Sequence, residues 1–160
     1  MADWSQFCIF ALSKIKMRMG RILSIDYGQK RAGIAVTDPL KIIANGLTTV
    51  PVSAIFSFLT EYTAKENVEL FVVGQPKKMN NEPSDAMRWI EPFVRGLQNK
   101  FPSVPVQMVD ERFTSVLAHR ALLEGKAKKK TRQDRELIDE ISATIILQFY
   151  LEQLRNRAIK

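Results

Sequence analysis

A mixed α/β sheet covered by helices is the fold class this sequence predicts, on three observations. Three strand-like segments follow one another between residues 22 and 50 with short connections, the mark of an antiparallel meander. Helical and strand patterns then alternate, and the run "LFVV" at 70–73 is wholly apolar, as in a strand buried on both faces. A long, broadly apolar helical stretch follows at 133–155.

Residues 22–26 and 32–37 are strands joined by a tight turn at 27–30, where Gly28 eases the reversal. Residues 42–50 read as the third strand. Residues 53–66 are helical, with Ile55, Phe58, Leu59 and Tyr62 on one face. The apolar run at 70–73 is the fourth strand, and a loop rich in Pro and Asn spans 74–83. Ser84 is placed to cap a helix running to about residue 100. Residues 104–109 form the fifth strand, and Thr114 is placed to cap a short helix to 124. A basic loop leads into the last helix. Three leading strands followed by α/β alternation give a mixed five-stranded sheet flanked by helices.

Composition bounds the function. At 160 residues, 46% apolar and 26% charged, the chain has the length and make-up of one globular domain. Cys8 is the only cysteine and His119 the only histidine, which excludes a disulfide scaffold and a Cys/His zinc site. No run of about 18 apolar residues occurs, so no membrane role is expected and a reducing cytoplasm is the default. Residues 1–18 show helical spacing at Trp4, Phe7, Cys8, Ala11 and Ile15, but Asp3 stands where a signal peptide needs cations. We expect 1–18 to be a dispensable extension and 19–160 a single domain.

The net charge is +7, and it is concentrated. Lys126, Lys128, Lys129, Lys130 and Arg132 bring five cations with no anion among them, and the leader adds Lys14, Lys16 and Arg18. Such a cluster reads as a contact for a polyanion, against the bland alternative of a solvated loop.

Acidic residues fall at telling places. Asp26 closes the first strand, Asp110 and Glu111 close the last, and Asp139 lies in the first turns of the final helix. Ligands of α/β sheets gather beyond the carboxyl ends of strands. Ser142 and Ala143, small residues one turn after Asp139, let that helix approach the sheet closely. Taken singly, each acid has a bland reading: Asp26 as an Asx turn, the others as surface charges. Jointly they mark a site. Carboxylates held together repel, and Mg2+ or Mn2+ relieves that with oxygen ligands. Two such ions about 4 Å apart activate water for phosphodiester cleavage. Lys30, Arg31, Lys77, Lys78 and Arg112 lie in loops that flank such a site. Alternation along the strand leaves open whether Asp110 or Glu111 is the ligand.

Four segments resemble the YqgF family, also called RuvX, of pre-16S rRNA nucleases and Holliday junction resolvase-like proteins. They are "DYGQKRAGIAVTD", "VVGQPKKMN", "DERFTSVLA" and "DEISATIILQFYL", in order across about residues 19–155. Gln75 replaces the family's usual Leu, Ala32 its frequent Ile and Asn81 its frequent Gly. The resemblance implies a ribonuclease H-like fold and a divalent-metal nuclease with Asp26, Glu111 and Asp139 as acidic triad. It implies precursor rRNA or branched DNA as partner, and a monomer or homodimer.

Processing the 5′ end of pre-16S rRNA is the leading expectation, with Holliday junction resolution as the alternative. A non-catalytic nucleic-acid-binding or transcription factor is the rival of another class; the presence of all three acids argues against it. Actin-like ATPases open with a similar strand and turn but need two such domains, and no Walker-type loop is present.

Overall fold

The computed structural model describes residues 19–113 and 132–159. The strands are β1 (Arg21–Tyr27), β2 (Arg31–Thr37), β3 (Ala44–Pro51), β4 (Val68–Gln75) and β5 (Val106–Asp110). The helices are α1 (Ile55–Lys65), α2 (Met87–Lys100) and α3 (Arg132–Ala158), with single 3-10 turns at Val52–Ala54 and Glu111–Phe113. The sheet order is β3-β2-β1-β4-β5. β1 pairs antiparallel with β2 and β2 with β3; β1 and β4, then β4 and β5, are parallel. This is the ribonuclease H-like arrangement that the resemblance implies.

Alternation along β1 distributes its side chains to two layers. Leu23 and Ile25 pack with Ile55 and Leu59 of α1 and Ile90, Phe93 and Leu97 of α2. Ile22 packs with Ala143, Ile146 and Leu147 of α3, and the Ser24 hydroxyl donates to the Ala143 carbonyl at 2.6 Å. Asp26, two residues beyond Ser24, stands on the α3 side. β5 follows the same rule: Met108 joins the α1/α2 layer and Val109 the α3 layer. Glu111 shares the parity of Val109, and Asp110 does not.

Three details differ from the sequence reading. β3 begins at Ala44, not residue 42, because Asp38 caps the approach: its Oδ1 accepts the N–H groups of Ile42 and Ile43 at 2.8 and 2.7 Å. Those bonds hold the Asp38 carboxyl below its ordinary pKa, that from Ile43 first. α2 begins at Met87 with Ala86 at the N-cap, while the Ser84 carbonyl accepts the Met87 N–H in a preceding turn. Leu137, read as part of an apolar helix, is 53% exposed. The helix expected at 114–124, the leader, and Lys126, Lys128, Lys129 and Lys130 lie outside the described residues. Asn81 adopts φ 67°, a conformation Gly takes freely and Asn tolerates.

Candidate active site

A cleft of about 510 Å³ opens at the carboxyl ends of β1 and β5, and Asp26, Glu111 and Asp139 all line it. Lys30, Arg31 and Arg135 border it with cations, and Tyr27, Trp89 and Ile90 supply an apolar wall. Asp26 and Glu111 are 5% and 3% exposed.

Two glycines make the convergence possible. Gly33 of β2 pairs with Asp26 across the sheet. A Cβ at Gly33 would overlap the Asp139 carbonyl, so only glycine lets the main chain of α3 lie directly on β2 beside Asp26. Gly74, near the end of β4, is the second. A Cβ there would stand 2.5 Å from Glu111 Oε1 and 2.7 Å from Ile146 Cδ1. β4 thus contributes an absence of side chain, over which Glu111 extends.

Asp110 has other work. Arg112 donates to it through Nε and Nη2, at 2.7 Å for the shortest bond, and Lys77 Nζ stands 3.4 Å away. The Arg112 side-chain bond is the main reason its carboxyl is lowered to about 2. Asp110 is therefore a structural anchor for the β4–α2 loop, and Glu111 is the acid that lines the cleft.

The expected phosphate contacts divide the same way. Lys30 and Arg31 line the cleft. Lys77 and Arg112 are held by Asp110, and Lys78 approaches Asp85 at 4.0 Å. Arg132 opens α3. Arg31 Nε donates to Asp139 Oδ2 at 2.8 Å, so the partner of Arg31 is Asp139.

An all-oxygen donor set over a glycine cradle fits Mg2+ or Mn2+ in kind. Among the described residues, however, no three acidic, His or Cys side chains are gathered closely enough to hold an ion as they stand. The three carboxylates share a cleft without yet meeting at one point.

Some lining residues escaped the sequence reading. Arg135 lies one helical turn before Asp139, so the 3.6-residue period alone places it on the same face. Trp89 and Tyr27 had no such signal. The Tyr27 ring stacks on Phe93 at 3.9 Å between centroids, and burial raises its phenol pKa. The Trp89 indole N–H is buried without a hydrogen-bond partner.

Among the described residues no helix is long and apolar enough to cross a membrane. The family model described as "RuvX: Holliday junction resolvase" matches residues 20–153. A protein of Bacteroides thetaiotaomicron, provisionally named a pre-16S rRNA nuclease, is 62% identical over 137 residues, covering 86% of this chain and 99% of that one. A protein of the same provisional name from Phocaeicola vulgatus is 63% identical over 134 residues, covering 84% and 96%. One from Flavobacterium johnsoniae is 55% identical over 137 residues, covering 86% and 99%. With the family model matched over most of the chain, and relatives matched along nearly their whole length, this chain belongs to the RuvX family.

Proposed function

We propose that the protein is a divalent-metal-dependent nuclease that hydrolyses phosphodiester bonds of structured nucleic acid, with the 5′ end of pre-16S rRNA as its substrate in the cytoplasm. The observation that carries this reading is the convergence of Asp26, Glu111 and Asp139, from three separate elements, on one cleft bordered by Lys30, Arg31 and Arg135. Three carboxylates suit Mg2+ or Mn2+ as ligands. When bound, such ions supply activation of water and neutralise charge at the departing oxygen.

The chain's own residues do the rest. Lys30 and Arg135 attract the phosphate backbone, and Trp89 offers a flat surface beside the carboxylates on which a base can stack. Lys126, Lys128, Lys129, Lys130 and Arg132, five cations within seven residues of sequence, add positive charge for a polyanionic substrate in this reading.

The names of the relatives favour pre-16S rRNA, and the family description favours a four-way DNA junction as the second reading. The test compares Mn2+-dependent cleavage of both substrates by the protein and by Asp26→Asn, which keeps shape and removes charge. We expect precursor RNA to be cut and Asp26→Asn to lose orders of magnitude in rate with its fold intact. Selective cutting of junctions transfers the assignment to the resolvase. Undiminished cleavage by Asp26→Asn sinks the metal-site reading, and binding without cleavage by the native protein makes it a non-catalytic binder.

A further inference from the structure

We propose that Arg31 is a lock on Asp139 that a nucleic-acid phosphate releases, so that metal loading depends on substrate. The proposal rests on the nuclease reading and names how that site is regulated.

The lock is one side chain between two fixed main chains. The Gly28 N–H donates to the Arg31 carbonyl at 2.8 Å, and the Val52 N–H to the Lys30 carbonyl at 3.1 Å. Arg31 also pairs with Pro51 in the β2–β3 ladder. On the other side, the main chain of Asp139 rests on Gly33. Neither backbone can move readily, and the freedom that remains belongs to the Arg31 guanidinium and the Asp139 carboxylate.

In the ion pair, Arg31 Nε occupies Asp139 Oδ2 at 2.8 Å. A guanidinium and a divalent cation compete for the same carboxylate oxygens, and they repel each other. While the pair stands, Asp139 is directed to Arg31 and does not complete a ligand cluster with Asp26 and Glu111. The two side chains remain 28% and 20% exposed, so a phosphate entering the cleft can reach the guanidinium. Arginine binds phosphate through two parallel N–H bonds, a better geometry than its single Nε contact here. Once Arg31 turns to the phosphate, Asp139 can rotate towards the other two carboxylates.

The opposite role is easily stated: Arg31 could hold Asp139 in its ligating pose. The two roles predict effects of opposite sign. Mn2+ binding, read by calorimetry and electron paramagnetic resonance with and without a phosphorothioate RNA hairpin, separates them. We expect Arg31→Gln alone to bind Mn2+ roughly tenfold more tightly than the native protein, the scale of one charge-assisted hydrogen bond. The hairpin should tighten Mn2+ binding in the native protein more than in Arg31→Gln, and Mn2+ should tighten hairpin binding by the same factor. Arg31→Lys, which keeps the charge without the fork, should fall between them and serves if Gln disturbs β2. Lys30→Gln removes one charge from the same turn without touching the pair, and should shift Mn2+ affinity by less than about threefold.

Unchanged or weaker Mn2+ binding by Arg31→Gln, with binding still lost in Asp139→Asn, overturns the lock and leaves the nuclease reading standing. Equal Mn2+ binding by native protein, Asp26→Asn and Asp139→Asn, or none by any of them, removes the metal site and the lock with it.

Discussion

The two faces of the sheet are built on opposite rules. Under α1 and α2 the buried layer is apolar, with Phe71, Phe93 and Leu97 filling it and aromatic pairs such as Phe71–Phe101 at 5.4 Å. The buried polar side chains among the described residues, Ser24, Asp26, Thr37, Glu111 and Ser142, belong to the α3 side. There the layer is thin at Gly33 and Gly74, and main chain replaces side chain as the packing surface. One face supplies hydrophobic stabilisation in bulk. The other accepts buried polarity so that three acids from distant segments can share a cleft.

The sharpest way to break this contrast is Gly33→Ala set against Leu59→Ala. The added methyl at Gly33 meets the main chain of Asp139, which no side-chain rotation relieves, so α3 must lift from β2. We expect a loss of at least about 3 kcal/mol in urea unfolding, beyond the usual range for one extra methyl group, together with loss of cleavage. Leu59, a fully buried residue of α1, should cost about 2–5 kcal/mol as alanine, yet leave the rate at saturating substrate unchanged below the melting temperature. Equal effects on rate would mean that the two faces are not separable.

Gly74→Ala sharpens the contrast within the α3 face. Its methyl meets two side-chain ends rather than backbone, so stability should fall by only about 1 kcal/mol. The cleavage rate should drop by about tenfold or more, because one of those ends is the Glu111 carboxylate, and small displacements of catalytic groups cost rate heavily. Parallel stability and rate measurements decide it.

Asp110→Asn should be the mildest. Its carboxyl, lowered to about 2 chiefly by the Arg112 hydrogen bond, lies below the ordinary 3.8 expected when unfolded. A depressed carboxyl stabilises the fold fully above its unfolded value, and the contribution disappears as pH falls through the folded one. The native protein should therefore lose this part of its stability between about pH 4 and pH 2. Asp110→Asn should lack it at neutral pH and show a flatter acid profile, with cleavage retained. Thermal unfolding across that range reads the difference.

Much of this was legible in the sequence because it depends on local pattern. Apolar and β-branched runs bounded by turn residues located β1, β2 and β5, and the four-residue wholly apolar run located β4. What was not legible depends on which element covers which face. Asp110 and Glu111 are neighbours, and only the placement of α3 over Val109 shows which of them faces the cleft. The partner of Arg31 lies 108 residues away along the chain, beyond any spacing argument. The start of β3 turned on the Asp38 side chain capturing two backbone N–H groups, a competition that hydrophobic pattern does not register. Gly33 and Gly74 read as ordinary strand glycines until something is seen to press against them.

The interposition of β4 between β1 and β5 has a consequence for the choice of amino acid. Strands two places apart are separated by roughly 9–10 Å, since each step across a sheet is about 4.8 Å. An acid beyond β5 must span that distance to meet one on β1. Glutamate carries one methylene more than aspartate, and here the longer acid stands at the farther position. Asp26 pairs directly beside Gly33, where α3 already brings Asp139 close, and a short arm suffices. The extra methylene carries the Glu111 carboxylate out over Gly74, and Glu111→Asp would retain the charge and shorten that reach.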